Sequence, residues 1–296
     1  MEEPEIALPP HTQRRIAKYL LNETTQCFVT THSPYVIERF QPENIQILAR
    51  DEHANVTATG LLVGLVIKGK MYRRHCRRGL AEAMLGQAVI ITEGISEHTA
   101  LLAVAERMEA ENEEYYPLDL SGVTVFTADG DGLLPPFGAF FKALGLKTYG
   151  FYDNKKRTPE GIQQFLDSFD LPCQTAYAGI EKLLASETPL DRQWQFLSSL
   201  RQSGEQGSLG IPASRPSDSE LRELMTNALK SNKGNGHAAA LIDCCEFSEL
   251  PQTIVGFLKS VFSDFPPPTH VPVPPPASQP SQDGAAPPRA DSPAEL

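Results

Sequence analysis

Four short stretches set acidic residues beside glycine or at the end of an apolar run. They are Thr92-Glu93-Gly94-Ile95-Ser96-Glu97, Ala128-Asp129-Gly130-Asp131-Gly132, Tyr152-Asp153-Asn154-Lys155 and Gly179-Ile180-Glu181. Clustered carboxylates repel, and holding several together is costly unless a cation joins them. Hard oxygen donors in this number suit Mg²⁺ or Mn²⁺. The candidate ligands are Glu93, Glu97, Asp129, Asp131, Asp153 and Glu181. Glu93 and Glu97 lie four apart across a strand-to-helix turn, so both can face one ion. Gly94, Gly130 and Gly132 lack a Cβ and let the backbone turn tightly or approach a ligand. Each acid alone has a plainer explanation. Glu97 and Glu181 suit the first turn of a helix, and Asp-Gly-Asp-Gly is a common turn. The repetition at successive strand ends carries the signal.

The elements that must position these acids follow from the hydrophobic pattern. Strands are expected at Ala88–Thr92, Val123–Thr127, Lys147–Tyr152 and 173–177. Helices are expected at 97–108, 133–144, 158–169 and 180–185. Alternating strand–helix units of this size imply an α/β fold with a mostly parallel sheet flanked by helices. Such sheets build their sites at the carboxyl ends of the strands. Beyond residue 191 the pattern is helical, with a loop at 204–217 and a helix at 220–230.

The 296 residues allow one large domain or two modest ones, and the net charge of −11 argues mildly against a nonspecific nucleic-acid coat. No apolar run approaches the roughly 18 residues a membrane span needs, and the N-terminus has no signal-peptide pattern. Five cysteines without a CxxC pair fit a reducing cytoplasm and argue against structural zinc or a disulfide framework. Residues 266–296 hold 11 of the 25 prolines and read as a disordered or polyproline-like tail. The one strong basic cluster is Lys68, Lys70, Arg73, Arg74, Arg77 and Arg78. It is a candidate contact for a phosphate backbone, although a solvated helix end explains it equally well.

The front of the chain reads as cut. Glu2-Glu3-Pro4-Glu5 stands with no strand before it. A helix at 10–21, a strand at 26–30, Thr30-Thr31-His32-Ser33-Pro34, a helix start at 34–40 and a strand at 45–49 follow. The order and spacing of the acidic motif and His32 resemble the back half of an ABC-type ATPase head. The phosphate loop G-x-x-x-x-G-K-[ST] is absent from all 296 residues, so this chain is not expected to hydrolyse ATP by itself. ATP belongs only to a longer parent.

The acids at the strand ends resemble a Toprim domain, the metal-dependent phosphoryl-transfer domain of topoisomerases, primases and some nucleases. With the ATPase-like front and the stretch Arg78-Gly79-Leu80-Ala81-Glu82-Ala83-Met84-Leu85, the chain is similar to the C-terminal region of OLD (overcoming lysogenisation defect) family nucleases. Here the Asp-x-Asp pair, Asp129 and Asp131, ends the second Toprim strand, and the third offers the single acid Asp153. The resemblance implies a late lysine that completes the active site. Lys233 matches it best, with Lys230 as second choice.

The implied activity is two-metal hydrolysis of DNA, by a bacterial cytoplasmic protein with a role in phage defence or DNA repair. Glu93, Glu97, Asp129, Asp131 and Asp153 would hold two Mg²⁺ or Mn²⁺ ions, with Glu181 as a further candidate. Which acids are direct ligands stays open. Lys233 would neutralise transition-state charge, Lys155 would help hold the phosphate, and Arg73, Arg74, Arg77 and Arg78 would contact nucleic acid. Tyr115-Tyr116 sits in an acidic segment read as a solvated helix end and loop, and hydrolysis needs no tyrosine nucleophile. The expected division is an ATPase-head remnant at 1–67, a Toprim domain at 68–190, a helical part at 191–265 and the tail at 266–296. A homodimer would form through the ATPase region. The rivals are a Toprim nuclease or polymerase acting on RNA or nucleotides, a noncatalytic regulatory or dimerisation module of an ATPase machine, and an acid phosphatase.

Overall fold

The computed structural model describes residues 1–50, 53–61, 67–111, 117–205, 208–231 and 233–265, with only the backbone of Arg78. The proline-rich tail, Tyr115, Tyr116 and the Arg78 side chain lie outside the described residues.

The N-terminal segment carries helices α1 (Pro10–Glu23) and α2 (Pro34–Ile37) and an antiparallel hairpin of β1 (Gln46–Arg50) and β2 (Val56–Gly60). The strand expected at 26–30 reduces to one bridge, Glu2 to Thr30. Its apolar residues find no face to cover: Phe28 is 79% exposed. Then α3 (Gly69–His75) runs through a wide helical turn at Cys76–Leu80 into the short α4 (Ala81–Ala83).

The sheet contains β3 (Ala88–Thr92), β4 (Val123–Thr127), β5 (Lys147–Tyr152) and β6 (Leu171–Gln174), all parallel, in the order β4-β3-β5-β6. The last strand begins two residues earlier than the sequence pattern suggests and is shorter. Helices α5 (Ile95–Glu111), α6 (Leu134–Ala143), α7 (Pro159–Ser168) and α8 (Ile180–Glu187) alternate with the strands. They are followed by α9 (Leu190–Ser203), α10 (Asp218–Ser231), α11 (His237–Asp243) and α12 (Gln252–Phe262).

Both faces of the sheet are buried, which is why β3 reads as an unbroken apolar run. The alternation of side chains divides the core. Ala88, Ile90, Val125, Tyr149 and Phe151 pack with α5 and α8 to α12. Val89, Ile91, Phe126 and Tyr152 pack with α6, α7 and the α3–α4 segment. Phe126, Phe137 and Phe141 meet edge to face, with centroids 4.9 and 5.4 Å apart. The result is a three-layer α/β arrangement of the Toprim or Rossmann-like kind. Among the described residues, no helix is long and apolar enough to cross a membrane.

Successive strands go to opposite sides of β3: β4 to one side, β5 to the other. This reversal leaves a crevice beyond the carboxyl ends of β3 and β5, where open α/β sheets bind ligands.

Candidate active site

In register, Thr92 of β3 pairs with Phe151 of β5. Glu93 and Asp153 therefore leave the sheet side by side at the switch point, although 60 positions separate them in the chain. Glu97 comes from the first turn of α5, directly after β3, and Glu181 from the first turn of α8. Asp131 follows β4 in a short helical turn. Glu97, Asp153 and Glu181 are buried.

Burial pushes the Glu97 carboxyl up to about 7, against a backbone hydrogen bond; the charges of Asp153, Glu93 and Glu181 push the same way as burial. Burial likewise raises Asp153 to about 6, with Glu93 and Glu181 raising it further and Lys155 and Lys233 opposing them. Glu93, Glu97, Asp153 and Glu181 thus form one electrostatic unit.

Three cations reach into the unit. Lys155 donates to Glu93 and lies 3.5 Å from Asp131. Burial opposes its charge, but the hydrogen bond to Glu93 and the surrounding acids hold its pKa above the ordinary lysine value. Lys233 Nζ lies 2.6 Å from Glu181 Oε1, and that hydrogen bond raises the lysine pKa. Lys233 thus reaches the acids from beyond α10, nearly 80 residues after Lys155. Arg157 Nη2 lies 2.5 Å from Asp131 Oδ1.

Asp129 stands apart. Its φ is +62°, a left-handed conformation uncommon outside glycine. Its carboxylate faces Arg74 at 3.4 Å and lines a cavity of about 670 Å³ along the outer edge of β4. That cavity is also lined by His75, Glu82, His98 and Asp119 and lies on the far side of β4 from Asp153. Of the other basic residues, Arg77 lies 3.6 Å from Glu38 and Arg73 is exposed.

Among the described residues, no group of three or more His, Cys, Asp or Glu side chains closes into a metal-holding arrangement. The lysines lie against the carboxylates that would have to converge. The donor set and the space around it nonetheless fit a hard divalent ion. A Cβ at Gly94 would stand 3.1 Å from Glu97 Oε2. A Cβ at Gly179 would stand 2.8 Å from Glu181 Oε2 and 4.0 Å from Asp153 Oδ2. Glycine at both positions leaves the carboxylates room that any other residue would fill.

A further cation reaches the acids beyond those that the sequence motifs mark. Arg157, third in Lys155-Lys156-Arg157, meets Asp131, and its place four residues after Asp153 in a basic run is the signal the sequence offers. In the N-terminal segment, Glu5 accepts from the Thr31 hydroxyl and the His32 N–H, and His32 Nε2 lies 3.6 Å from Glu3 Oε1. The acidic motif and His32 do meet, with the His32 ring exposed and Glu5 buried.

Residues 84–154 match the family model for the TOPRIM domain of overcoming lysogenization defect protein-like proteins. No curated protein matches the chain. Among solved structures, the C-terminal region of the Burkholderia pseudomallei OLD protein is similar with a TM-score of 0.46 and 14% identity, over 61% of this chain and 98% of that one. The C-terminal region of the Xanthomonas campestris pv. campestris OLD protein gives a TM-score of 0.43 and 15% identity, over 62% and 96%.

Proposed function

Starting from the OLD-like Toprim domain that this chain carries at residues 84–154, we propose that it is a divalent-metal-dependent nuclease that hydrolyses DNA phosphodiester bonds. The domain type supports a nuclease-like role. The observation that carries the finer reading is the meeting of Glu93, Glu97, Asp153 and Glu181 at the switch point, two of them with raised pKa values. Carboxylates held so close while resisting ionisation are poised to exchange protons for a cation.

Glu97, Asp153 and Glu181 would hold one Mg²⁺ or Mn²⁺ ion. Glu93 and Asp131 would hold a second, and Asp129 would join them only by turning away from Arg74. Bound there, the ions supply Lewis acidity toward the attacking water and the leaving 3′ oxygen. The chain's own residues do the rest. Lys155 and Lys233, already directed at the acids, turn toward the scissile phosphate and neutralise the charge that builds there. Arg74 meets Asp129 after β4 and Lys155 meets Glu93 after β3, while Arg73 and Arg77 lie on the same helical segment as Arg74. With Arg78, they would grip backbone phosphates and make binding fall with salt. In this reading, residues 68–190 form the Toprim domain, 191–265 complete its site through Lys233, 1–67 belong to an ATPase head, and 266–296 form a tail.

A noncatalytic regulatory role has one observation in its favour, the lack of a closed metal-holding group among the described residues. Cleavage of supercoiled and linear DNA, with RNA as a parallel substrate, separates the readings. The chain is assayed with Mg²⁺, Mn²⁺ or EDTA beside Glu93→Ala. Metal-dependent DNA cleavage lost in the variant supports the nuclease. Cleavage of RNA alone moves the substrate class. No cleavage of either, with intact fold, leaves the regulatory module.

A further inference from the structure

Arg157 is the most enclosed cation around the site, its side chain only 8% exposed. Its guanidinium lies 4.2 Å from the ring centroid of Phe165 and 5.1 Å from that of Tyr152. One edge meets Asp131, which follows β4. The other donates to the carbonyl oxygens of Asp153 and Lys155, which follow β5, at 3.3 and 3.5 Å. The two loops belong to strands that are not neighbours, since β3 lies between them. Arg157 Nε is buried without a partner, an arrangement that sacrifices a hydrogen bond to keep the fork pointed at both loops. Only a planar, multiply donating cation can stack on rings and span two loops at once.

We infer that Arg157 is a positioning residue, which ties Asp131 to the loop carrying Asp153 and so fixes the spacing of the two carboxylates, one for each proposed ion. The inference rests on the metal-dependent reading above. Its test is Mn²⁺ binding to the full chain, followed by water proton relaxation, in wild type and Arg157→Lys. Lysine keeps the charge and loses the fork. The expected result is a Tm within a few degrees of wild type and Mn²⁺ affinity weakened by about tenfold or more, as for other outer-shell partners of ligating carboxylates. A purely structural role would lower Tm and leave the Mn²⁺ affinity of the folded protein unchanged, and that outcome overturns the inference. If Arg157→Lys does not fold, Phe165→Leu removes the ring beneath the guanidinium and keeps every carboxylate, and the same two outcomes apply. Wild type that binds Mn²⁺ but cuts nothing removes the nuclease reading and leaves the inference standing. Wild type that binds no Mn²⁺ removes the metal reading and this inference with it.

Discussion

Two groups of acids in this chain use the same residue types in different surroundings. In the N-terminal segment, Glu3 faces His32, whose side chain is 86% exposed, and Glu5 is held by local hydrogen bonds from Thr31 and His32. At the switch point, Glu97, Asp153 and Glu181 are buried beneath helices on both faces of a sheet. In the first group water screens Glu3 and His32, and Glu5, although buried, has its charge met by the hydrogen bonds from Thr31 and His32. The second must settle its charge through protons, lysines or a metal. The difference shows that acidic motifs become an electrostatic unit where the fold brings several strand ends together, and that burial of a single acid is not enough.

The strongest break of that comparison is a pair of substitutions. Glu97→Gln is expected to lower metal-dependent DNA cleavage by about 10³-fold, a loss on the scale of removing a preorganised charge-stabilising group. Equal activity in Glu97→Gln, measured at saturating metal, would remove this acid from the site. Lys233→Ala comes next, with an expected drop in kcat of about 10². A change confined to KM would make Lys233 a binding residue.

The pH dependence sharpens the contrast without any substrate. Glu97 titrates near 7 and Asp153 near 6 in the folded chain, above their ordinary values. The folded state therefore holds these protons more tightly than the unfolded chain. Their contribution to stability is fully present below the ordinary carboxylate range and is lost as pH rises through about 6 and 7. In metal-free protein, the difference in Tm between pH 5 and pH 8 should shrink in Glu97→Gln. Mg²⁺ should raise the wild-type Tm more at pH 8 than at pH 5, because it displaces protons. A pH-independent gain from Mg²⁺ would contradict the coupling.

The smallest effects belong to the N-terminal side. Phe28→Ala, at an exposed position, should change stability by no more than about 0.5 kcal/mol in chemical denaturation. His32→Ala should leave DNA cleavage within about twofold of wild type, since exposed ion pairs couple weakly to anything distant. A larger loss would tie the two regions together.

Much of this architecture was legible in the residues. The apolar runs Ala88–Thr92 and Val123–Thr127 and the helical periods between them announced a parallel sheet, because strands buried on both faces need unbroken apolar side chains. The acids after each run mark the sheet edge at which such folds bind ligands. The bridge at Thr30 shows the limit. Residues 26–30 have strand-forming types, but no neighbouring strand supplies the ladder, and strand propensity without a partner is weak.

Sequence by itself determined the composition of the site: carboxylates at strand ends, glycines beside them, and a lysine far downstream. Only the tertiary structure decided which of them meet. The strand order β4-β3-β5-β6 sets Glu93 beside Asp153, while the left-handed turn at Asp129 directs that carboxylate to Arg74. The helices after α8 bring Lys233 onto Glu181, and the aromatic faces of Tyr152 and Phe165 hold Arg157 between two loops. Strand order and helix docking are fixed by burial of apolar faces across long sequence separations. No local spacing encodes them.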